Sequence, residues 1–563
     1  MSLQFFKKSF FLWLFFVIIQ FGSCKKNDQN GDKPQPAKSL AIENIVMNGK
    51  VLASGYYDVN IRSYIILKFS GAISRTSVNG NITIKDQQGK LVPVSFNFEN
   101  GDSIISIKTN PLTFLNRYTV SISSSVQSTE QVNFDSEKDF IFATSIDSSR
   151  KFPLITDSAL LDTVQKRTFK YFWDYAHPVS GLARERSNAT PEIVTTGGSG
   201  FGIMALIVGI ERGFITKAQG LARLQTIVAF LKNKASEFHG AFPHWMNGST
   251  GAVIPFSTDD NGADLVETSY LMMGLLTARQ YFTGTGASET ALRNDINSLW
   301  NGVEWNWFRQ NNQDVLYWHW SPTANWAINQ KIRGWNECLI TYVLAASSST
   351  HAITKDVYDK GWAGDGAIKN GNDYFGYRLP LGTDFGGPLF FEQYSFMGIN
   401  PVKLSDRYAD YQLQTKNHTL INYTYCRTNP KNYFGYSDSV WGLTASDIKG
   451  GYTASSPTND QGFIAPTAAI SSIAYAPAQS MAALKFYYYV LGDRLFKEYG
   501  FTDAFSLDVI KNNGAWFADS YLAIDQGPII VMIENYRTKL LWNLFMSCPE
   551  VQNGLGKLGF SGF

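Results

Sequence analysis

The sequence predicts a mainly α chain in two parts, an N-terminal all-β sandwich followed by a larger helical ring, an (α/α)6 toroid of six hairpins. Three observations predict it. Apolar residues between Ser39 and Asp147 recur with a period of two, and beyond Thr156 the period becomes helical. The tryptophans divide along the same boundary, since none lies between Trp13 and Trp173 and the rest all follow. At 563 residues the chain is long enough for two domains, each burying a core of its own.

The first element is not part of either domain. Residues 1–24 contain Lys7-Lys8, an apolar run from Phe10 to Ile19 and then Gly22-Ser23-Cys24. A cationic start, an apolar stretch too short to span a bilayer and a small-residue junction are the pattern of a signal peptide removed on export. The Gly-Ser-Cys junction resembles a bacterial lipoprotein box. That resemblance implies lipidation of Cys24, a membrane anchor, and a place in the cell envelope facing the periplasm or the cell surface. Residues 25–38 are polar and include Pro34 and Pro36, which reads as a tether. The other cysteines, Cys338, Cys426 and Cys548, are far apart and lack C-x-x-C spacing, so they read as buried free thiols.

Residues 39–147 supply the sandwich. Ile65, Leu67 and Phe69 alternate with polar positions, as do Phe96 and Phe98, Ile105 and Ile107, Tyr118, Val120 and Ile122, and Phe140 and Phe142. Asn79-Gly80, Gln88-Gly89 and Asn100-Gly101 punctuate the runs as turns do. The region resembles the bacterial Ig-like modules that precede catalytic domains. It holds no constellation of polar side chains that points to chemistry, and it reads as a spacer.

Residues 155–555 supply the helices. Leu221, Leu224, Val228 and Leu231 form one stripe with Thr216 placed to cap it, while Leu265 to Ala278 is apolar nearly all round. Amphipathic helices alternating with wholly apolar ones describe an outer ring wrapped around an inner one. Asp460-Gln461-Gly462 and Asp525-Gln526-Gly527 each precede an apolar stretch and read as equivalent junctions of a repeated hairpin.

Composition narrows the function. Lys and Arg number 49 against 47 Asp and Glu, so a net charge of +2 leaves no cationic excess for nucleic acid. Aromatic residues make up 15% of the chain, which suits a site that stacks on sugar rings. The chemistry concentrates where buried helices begin. Asp260, Asp264 and Glu267 fall within eight positions at the entrance of the helix that starts near Leu265. One acid there would serve as a cap; three repel one another, and in a dry site that repulsion raises the pKa of at least one, as a general acid requires. Glu337 enters a second apolar helix beside Trp335 and is the leading proton donor. Glu534 stands three positions from Arg537, a spacing that fits an ion pair or a substrate-orienting role. Among the tryptophans, Trp335 and Trp441 stand beside polar loop sequence and are the leading stacking platforms, ahead of Trp318, Trp320 and Trp326.

Other chemistries lack a motif. Gly198-Ser199-Gly200-Phe201-Gly202 follows no apolar strand, so it reads as a tight helix start and not as a dinucleotide loop. His239 and His244 flank a turn at a spacing unlike that of metal ligands, and no Gly-x-Ser-x-Gly occurs.

Gly262-Ala263-Asp264-Leu265-Val266-Glu267-Thr268, Gly334-Trp335-Asn336-Glu337 and Asp525-Gln526-Gly527-Pro528-Ile529, with Asn535-Tyr536-Arg537, resemble glycoside hydrolase family 144, the β-1,2-glucan hydrolases with glucoamylase-like domains. The resemblance implies the (α/α)6 fold over about 155–555 and inverting hydrolysis of β-1,2-glucosidic bonds without a metal or an organic cofactor. It also implies a cleft lined by Asp260, Asp264, Glu267 and Glu337. Two alternatives stay open: another glycan-degrading activity on the same toroid, a glucosidase or a polysaccharide lyase, and a non-catalytic glycan-binding lipoprotein.

Overall fold

The computed structural model describes residues 39–47, 49–51 and 55–563. The expected signal peptide, Cys24 and the tether over 25–38 lie outside the described residues. Ten strands follow in chain order: β1 (Ile42–Met47), β2 (Lys50–Val51), β3 (Tyr56–Val59), β4 (Tyr64–Phe69), β5 (Ile82–Asp86), β6 (Leu91–Val92), β7 (Val94–Glu99), β8 (Ile104–Thr109), β9 (Arg117–Ile122) and β10 (Lys138–Thr144). They form two five-stranded sheets, ordered β2-β1-β4-β8-β7 and β3-β10-β9-β5-β6. Pairing is antiparallel except between β3 and β10. The alternation does what a period of two demands: Ile65 and Leu67 of β4 lie opposite Ile107 and Ile105 of β8, all four buried between the sheets.

The alternation breaks at the end of β10, where Phe142, Ala143 and Thr144 are all buried. Both faces are covered there, because Ala143 and Leu115 share an apolar core with Leu160, Val164 and Leu484 of the helical part. Tyr57 adds to the contact by stacking on Phe434 at 5.1 Å and donating to Asp508 at 2.7 Å. The sandwich is therefore joined to the helices by packing as well as by the chain.

Among the described residues thirteen α-helices follow: α1 (Asp157–Trp173), α2 (Thr196–Glu211), α3 (Lys217–Asn233), α4 (Leu265–Tyr281), α5 (Ala287–Gly302), α6 (Leu339–Ser347), α7 (Tyr411–Thr428), α8 (Pro466–Ile470), α9 (Pro477–Tyr489), α10 (Gly492–Leu495), α11 (Ala523–Thr538), α12 (Leu540–Met546) and α13 (Pro549–Leu558). Thr216 caps α3 as expected and forms a reciprocal pair with Gln219, each side chain bonded to the other's backbone N–H. Leu224, Val228 and Leu231 of α3 are buried, whereas α4 is buried on every side from Leu265 to Ala278. α2 packs against α4 and α11, α4 against α6, and α11 against α8, so the wholly apolar helices neighbour one another; α1, α3 and α5 lie outside them. Between α6 and α7 the helical pattern gives way to a π-helical turn at Val357–Trp362 and 3-10 turns at Leu389–Glu392 and Ser395–Met397. Gly386 and Gly387 have φ of 93° and 85° and Pro388 follows them, a run that no regular helix accommodates. Cys338, Cys426 and Cys548 are buried and free.

Two sequence readings change here. Asp525-Gln526-Gly527 lies inside the first turn of α11, whereas Asp460-Gln461-Gly462 lies in a loop before α8, so the two are not equivalent junctions. The glycines of α2 do more than open a helix. A Cβ on Gly200 would overlap the Tyr270 carbonyl of α4, and a Cβ on Gly274 would overlap the Gly200 carbonyl, so the two backbones touch at this crossing. Each glycine costs up to about 1 kcal/mol of helix propensity relative to alanine, and the close approach offsets it. Gly200→Ala and Gly274→Ala are therefore expected to lose roughly 1–3 kcal/mol or more through overpacking. Gly302→Ala, where a methyl would meet nothing within 4 Å, should be neutral or stabilising. Thermal melts of the three variants check the contrast.

Candidate active site

A cavity of about 480 Å³ opens over the N-terminal ends of α2, α4 and α11. Trp245, Phe256, Phe390, Tyr394 and Tyr452 give it aromatic walls, with Phe256 51% and Tyr452 49% exposed. These are the aromatic groups that line the cavity. Trp335 and Trp441, expected in that role, are in the core. Trp335 packs against Trp362 and Tyr411, and its indole N–H donates to Glu392 at 2.7 Å. Trp441 is fully buried with Leu443, Ile464 and Tyr487. An indole buries more apolar area than any other side chain, and core packing claims both. Trp320 and Trp326 pack on Trp307, which stacks on His239 at 3.5 Å.

Glu534 is also corrected. It pairs with Arg212 through two hydrogen bonds of 2.7 and 2.8 Å and accepts from Gln165 and Thr538, while Arg537 turns to Asp162. Nothing in that arrangement faces the cavity, because the carboxylate's partners fill its coordination. It is a structural ion pair that ties α11 to the end of α2.

The four expected acids are brought together. Ala263–Asp264 pairs with His319–Trp320 in a two-residue antiparallel ladder that sets His319 opposite Asp264. One oxygen of Asp264 caps α4 by accepting from Val266 and Glu267 N–H at 3.0 and 2.9 Å. The other faces His244 Nδ1 at 3.0 Å and His319 Nε2 at 3.6 Å. Burial pushes Asp264 up, and the hydrogen bonds and charges of the two histidines more than reverse it, holding the carboxyl below the usual carboxylate range. Its neighbours go the other way. Burial raises Asp260, with the charge of Asp264 adding to it. Burial also raises Glu267, although His244 and the Gly197 N–H at 2.7 Å favour its charged form. His244 is carried up to about 9, since Glu267 and Asp264 together outweigh a desolvation that by itself would lower it. Glu337 precedes α6, its backbone carbonyl held by Ser395 and Tyr270. Burial raises its carboxyl to about 7, assisted by the charges of Glu267 and Asp264.

Behind Arg186, which lines the cavity, lies a second acidic group that the sequence did not single out. Arg186 reaches Asp447 at 3.2 Å, Ser520 donates to Asp447, and the Asp447 N–H donates to Asp503 at 2.6 Å. Asp503 in turn meets Asp525 of α11, and two carboxyls can share a hydrogen bond only if one keeps its proton. Burial raises both, Asp503 to about 7. His244, His319, Arg186, Asp447 and Asp503 lie on loops and short strands far apart in sequence, where no periodicity marks them. Asp525 alone had a signal, as part of a quoted motif.

The arrangement resembles known proteins in sequence and in fold. A family profile described as "Putative glucoamylase" matches residues 329–549, and a bacterial Ig-like domain profile matches residues 46–144. An exo β-1,2-glucooligosaccharide sophorohydrolase (non-reducing end) of Parabacteroides distasonis is 46% identical over 432 residues, which are 73% of this chain and 59% of that protein. The chain thus spans less than two thirds of that relative's length. A crystal structure from Bacteroides uniformis, described as a glucoamylase in the same words as the profile, is 57% identical with a TM-score of 0.71 and covers 73% of this chain and 99% of its own. The endo-β-1,2-glucanase of Chitinophaga pinensis, in complex with sophorotriose and glucose, is 51% identical with a TM-score of 0.70 over 73% of this chain and 99% of its own.

The raised Glu337 carboxyl makes a stability prediction. The folded chain keeps this proton to about pH 7, whereas the unfolded chain releases it near the ordinary 4.5. Folding therefore takes up a proton between those values, and stability from this group falls as pH rises through the window. Glu337→Gln lacks the dependence. Relative to wild type it should gain of order 1–3 kcal/mol between about pH 5 and about pH 8, partial exposure favouring the lower figure. Melting temperatures of both chains across that range test it.

Proposed function

Because the chain belongs to glycoside hydrolase family 144, with its glucoamylase-like domain and a preceding bacterial Ig-like module, we propose that it hydrolyses β-1,2-glucosidic bonds of β-1,2-glucan or its oligosaccharides. The helical domain, over about 155–555, is read as an (α/α)6 toroid and the sandwich as a separate module over 39–147. The contacts of α2 with α4 and α11, and of α4 with α6, support the ring.

One observation carries the reading of the chemistry: Glu337 is partly buried, holds its proton to about pH 7 and lies within charge range of Asp264 and of Glu267, which lines the aromatic-walled cavity. Inverting hydrolysis needs a protonated carboxyl at the glycosidic oxygen and a carboxylate that activates water on the other face of the ring, roughly 6.5–9.5 Å away. Glu337 is assigned the proton donor. Glu267, on the cavity wall with its carboxylate anchored by Gly197 N–H, is the carboxylate placed to activate water. Asp264 positions it by accepting from the Glu267 N–H, and His244 favours its charged form against the opposing charge of Asp264. The contact of Asp447 with Arg186, a residue of the cavity wall, favours a second reading, in which the base comes from the group of Asp447, Asp503 and Asp525.

Glu337→Gln is expected to lower turnover by roughly 10²- to 10⁴-fold with little change in melting at low pH. An activated aryl β-glucoside, whose leaving group needs no protonation, should recover much of the loss in Glu337→Gln and none in the variant that lacks the base. Comparing Glu267→Gln with Asp447→Asn then locates the base. Chromatography of products from linear β-1,2-glucan tests the whole proposal: oligomers or a single disaccharide support it, and absence of products from a folded chain overturns it.

Cys24, outside the described residues, is proposed as a lipid anchor to the cell envelope. Among the described residues no helix is long and apolar enough to cross a membrane. Cys24→Ser should move the protein from the membrane fraction to the soluble one without altering hydrolysis. Retention of the variant in the membrane fraction would overturn the anchor.

A further inference from the structure

We propose that the β-sandwich holds one wall of the cavity in place, with Tyr57 and Lys449 as positioning residues. The wall in question is a hairpin of two strands, Ala445–Ile448 and Gly451–Ala454, in which Asp447 stands opposite Tyr452. Ala445 and the half-exposed Tyr452 line the cavity, and the Asp447 N–H donates to Asp503. A two-stranded hairpin is marginally stable at best by itself, so its direction is fixed by what it leans on.

It leans on a loop that the sandwich grips. Phe505–Ser506 pairs with Trp516–Phe517, and residues 507–515 form the loop between them. On the hairpin side, Lys449 Nζ donates to the carbonyls of Asn512 and Asn513 at 2.9 and 3.4 Å. On the sandwich side, the Tyr57 hydroxyl of β3 donates to Asp508 at 2.7 Å while its ring stacks on Phe434 at 5.1 Å. Asp508 is fully buried, and its carboxylate also accepts from the N–H groups of Lys511 and Phe434 at 2.9 and 3.0 Å. Losing a donor is costly for a buried carboxylate, so the loop cannot turn away from Tyr57 freely. Gln87, which follows β5, adds a second grip. Gly514 of the loop has a φ of 113°, and a Cβ there would come within 3.1 Å of Gln87 Oε1. Tyr57, Phe434 and Ile510 also pack against one apolar core. A continuous path of contacts therefore runs from β3 through Asp508 and the loop to Lys449 and the strand that carries Tyr452. The sequence reads the sandwich as a spacer, and a spacer has no need of this path. The consequence for substrate binding rests on the function proposed above; the mechanical link does not.

Hydrogen–deuterium exchange of the full chain, read by mass spectrometry on peptides from the hairpin, tests the link. Tyr57→Ala and Lys449→Met should each speed exchange of the hairpin amides roughly 5- to 10-fold, the effect of about one lost hydrogen bond, and leave α2 and α4 unchanged. Tyr64→Ala removes an exposed ring from the other sheet of the sandwich and should leave the hairpin at the wild-type rate. If circular dichroism shows that Tyr57→Ala fails to fold, Tyr57→Phe, which keeps the ring and loses the hydrogen bond, takes its place. Wild-type exchange in the folded Tyr57 and Lys449 variants, or equal acceleration by Tyr64→Ala, overturns the link. On β-1,2-glucan the Tyr57 and Lys449 variants should raise KM roughly 10-fold with kcat nearly unchanged, because the wall they steady binds substrate. An unchanged KM in a variant whose hairpin exchanges faster overturns the positioning role. A wild-type chain inactive on every glucan overturns the functional reading, while exchange still decides the link.

Discussion

Everything in the site hangs on the contact of two helix backbones. α2 and α4 cross at Gly200 and Gly274 with no side chain between them, and that closeness brings the Gly197 N–H onto the Glu267 carboxylate. A methyl at either crossing position would push the helices apart, and the acid would lose the donor that helps hold its charge. The aromatic packing follows the same approach: Phe201 of α2 meets the Tyr270 ring at 5.2 Å, and Tyr394 packs on both. The cavity wall is therefore a consequence of how close two apolar helices can come, and glycine decides that distance.

Electrostatics then divides acids that burial treats alike. Desolvation pushes up Asp260, Asp264, Glu267, Glu337, Asp503 and Asp525 alike, and what differs is the partner. Asp264 has a helix terminus on one oxygen and two histidines at the other, and stays ionised. Glu337 has no such cation and keeps its proton to about pH 7. Asp503 and Asp525 have chiefly each other, so a proton remains between them. A site with both ionised and protonated carboxyls at one pH is what acid–base hydrolysis asks for, and it arises here from partners and not from residue type.

Much of this was legible in the chain. The sandwich strands followed from alternation, because a half-buried strand shows one face to solvent and one to the core. The cap at Thr216 and the all-round burial of α4 followed from local sequence too, since capping and helical periodicity act within a few residues. Asp260, Asp264, Glu267 and Glu337 were legible because acids at the start of apolar helices are conspicuous. Trp335 and Trp441 misled: polar flanking residues say nothing of which way an indole turns. Glu534 was read against Arg537 on its own helix, but its partner Arg212 sits at the end of α2, and only packing brings them together.

The sequence by itself determined which segments are strands and helices, where the two parts divide and which helix entrances carry acid, because those properties depend on neighbours within a turn or a strand. Tertiary structure decided the rest. It set His244 and His319 against Asp264, gathered Asp447, Asp503 and Asp525 behind Arg186 and chose Phe256, Tyr394 and Tyr452 over the expected tryptophans. The physical reason is range. Periodicity and capping are local, whereas desolvation, charge pairing and the direction of a side chain depend on residues that only folding makes neighbours.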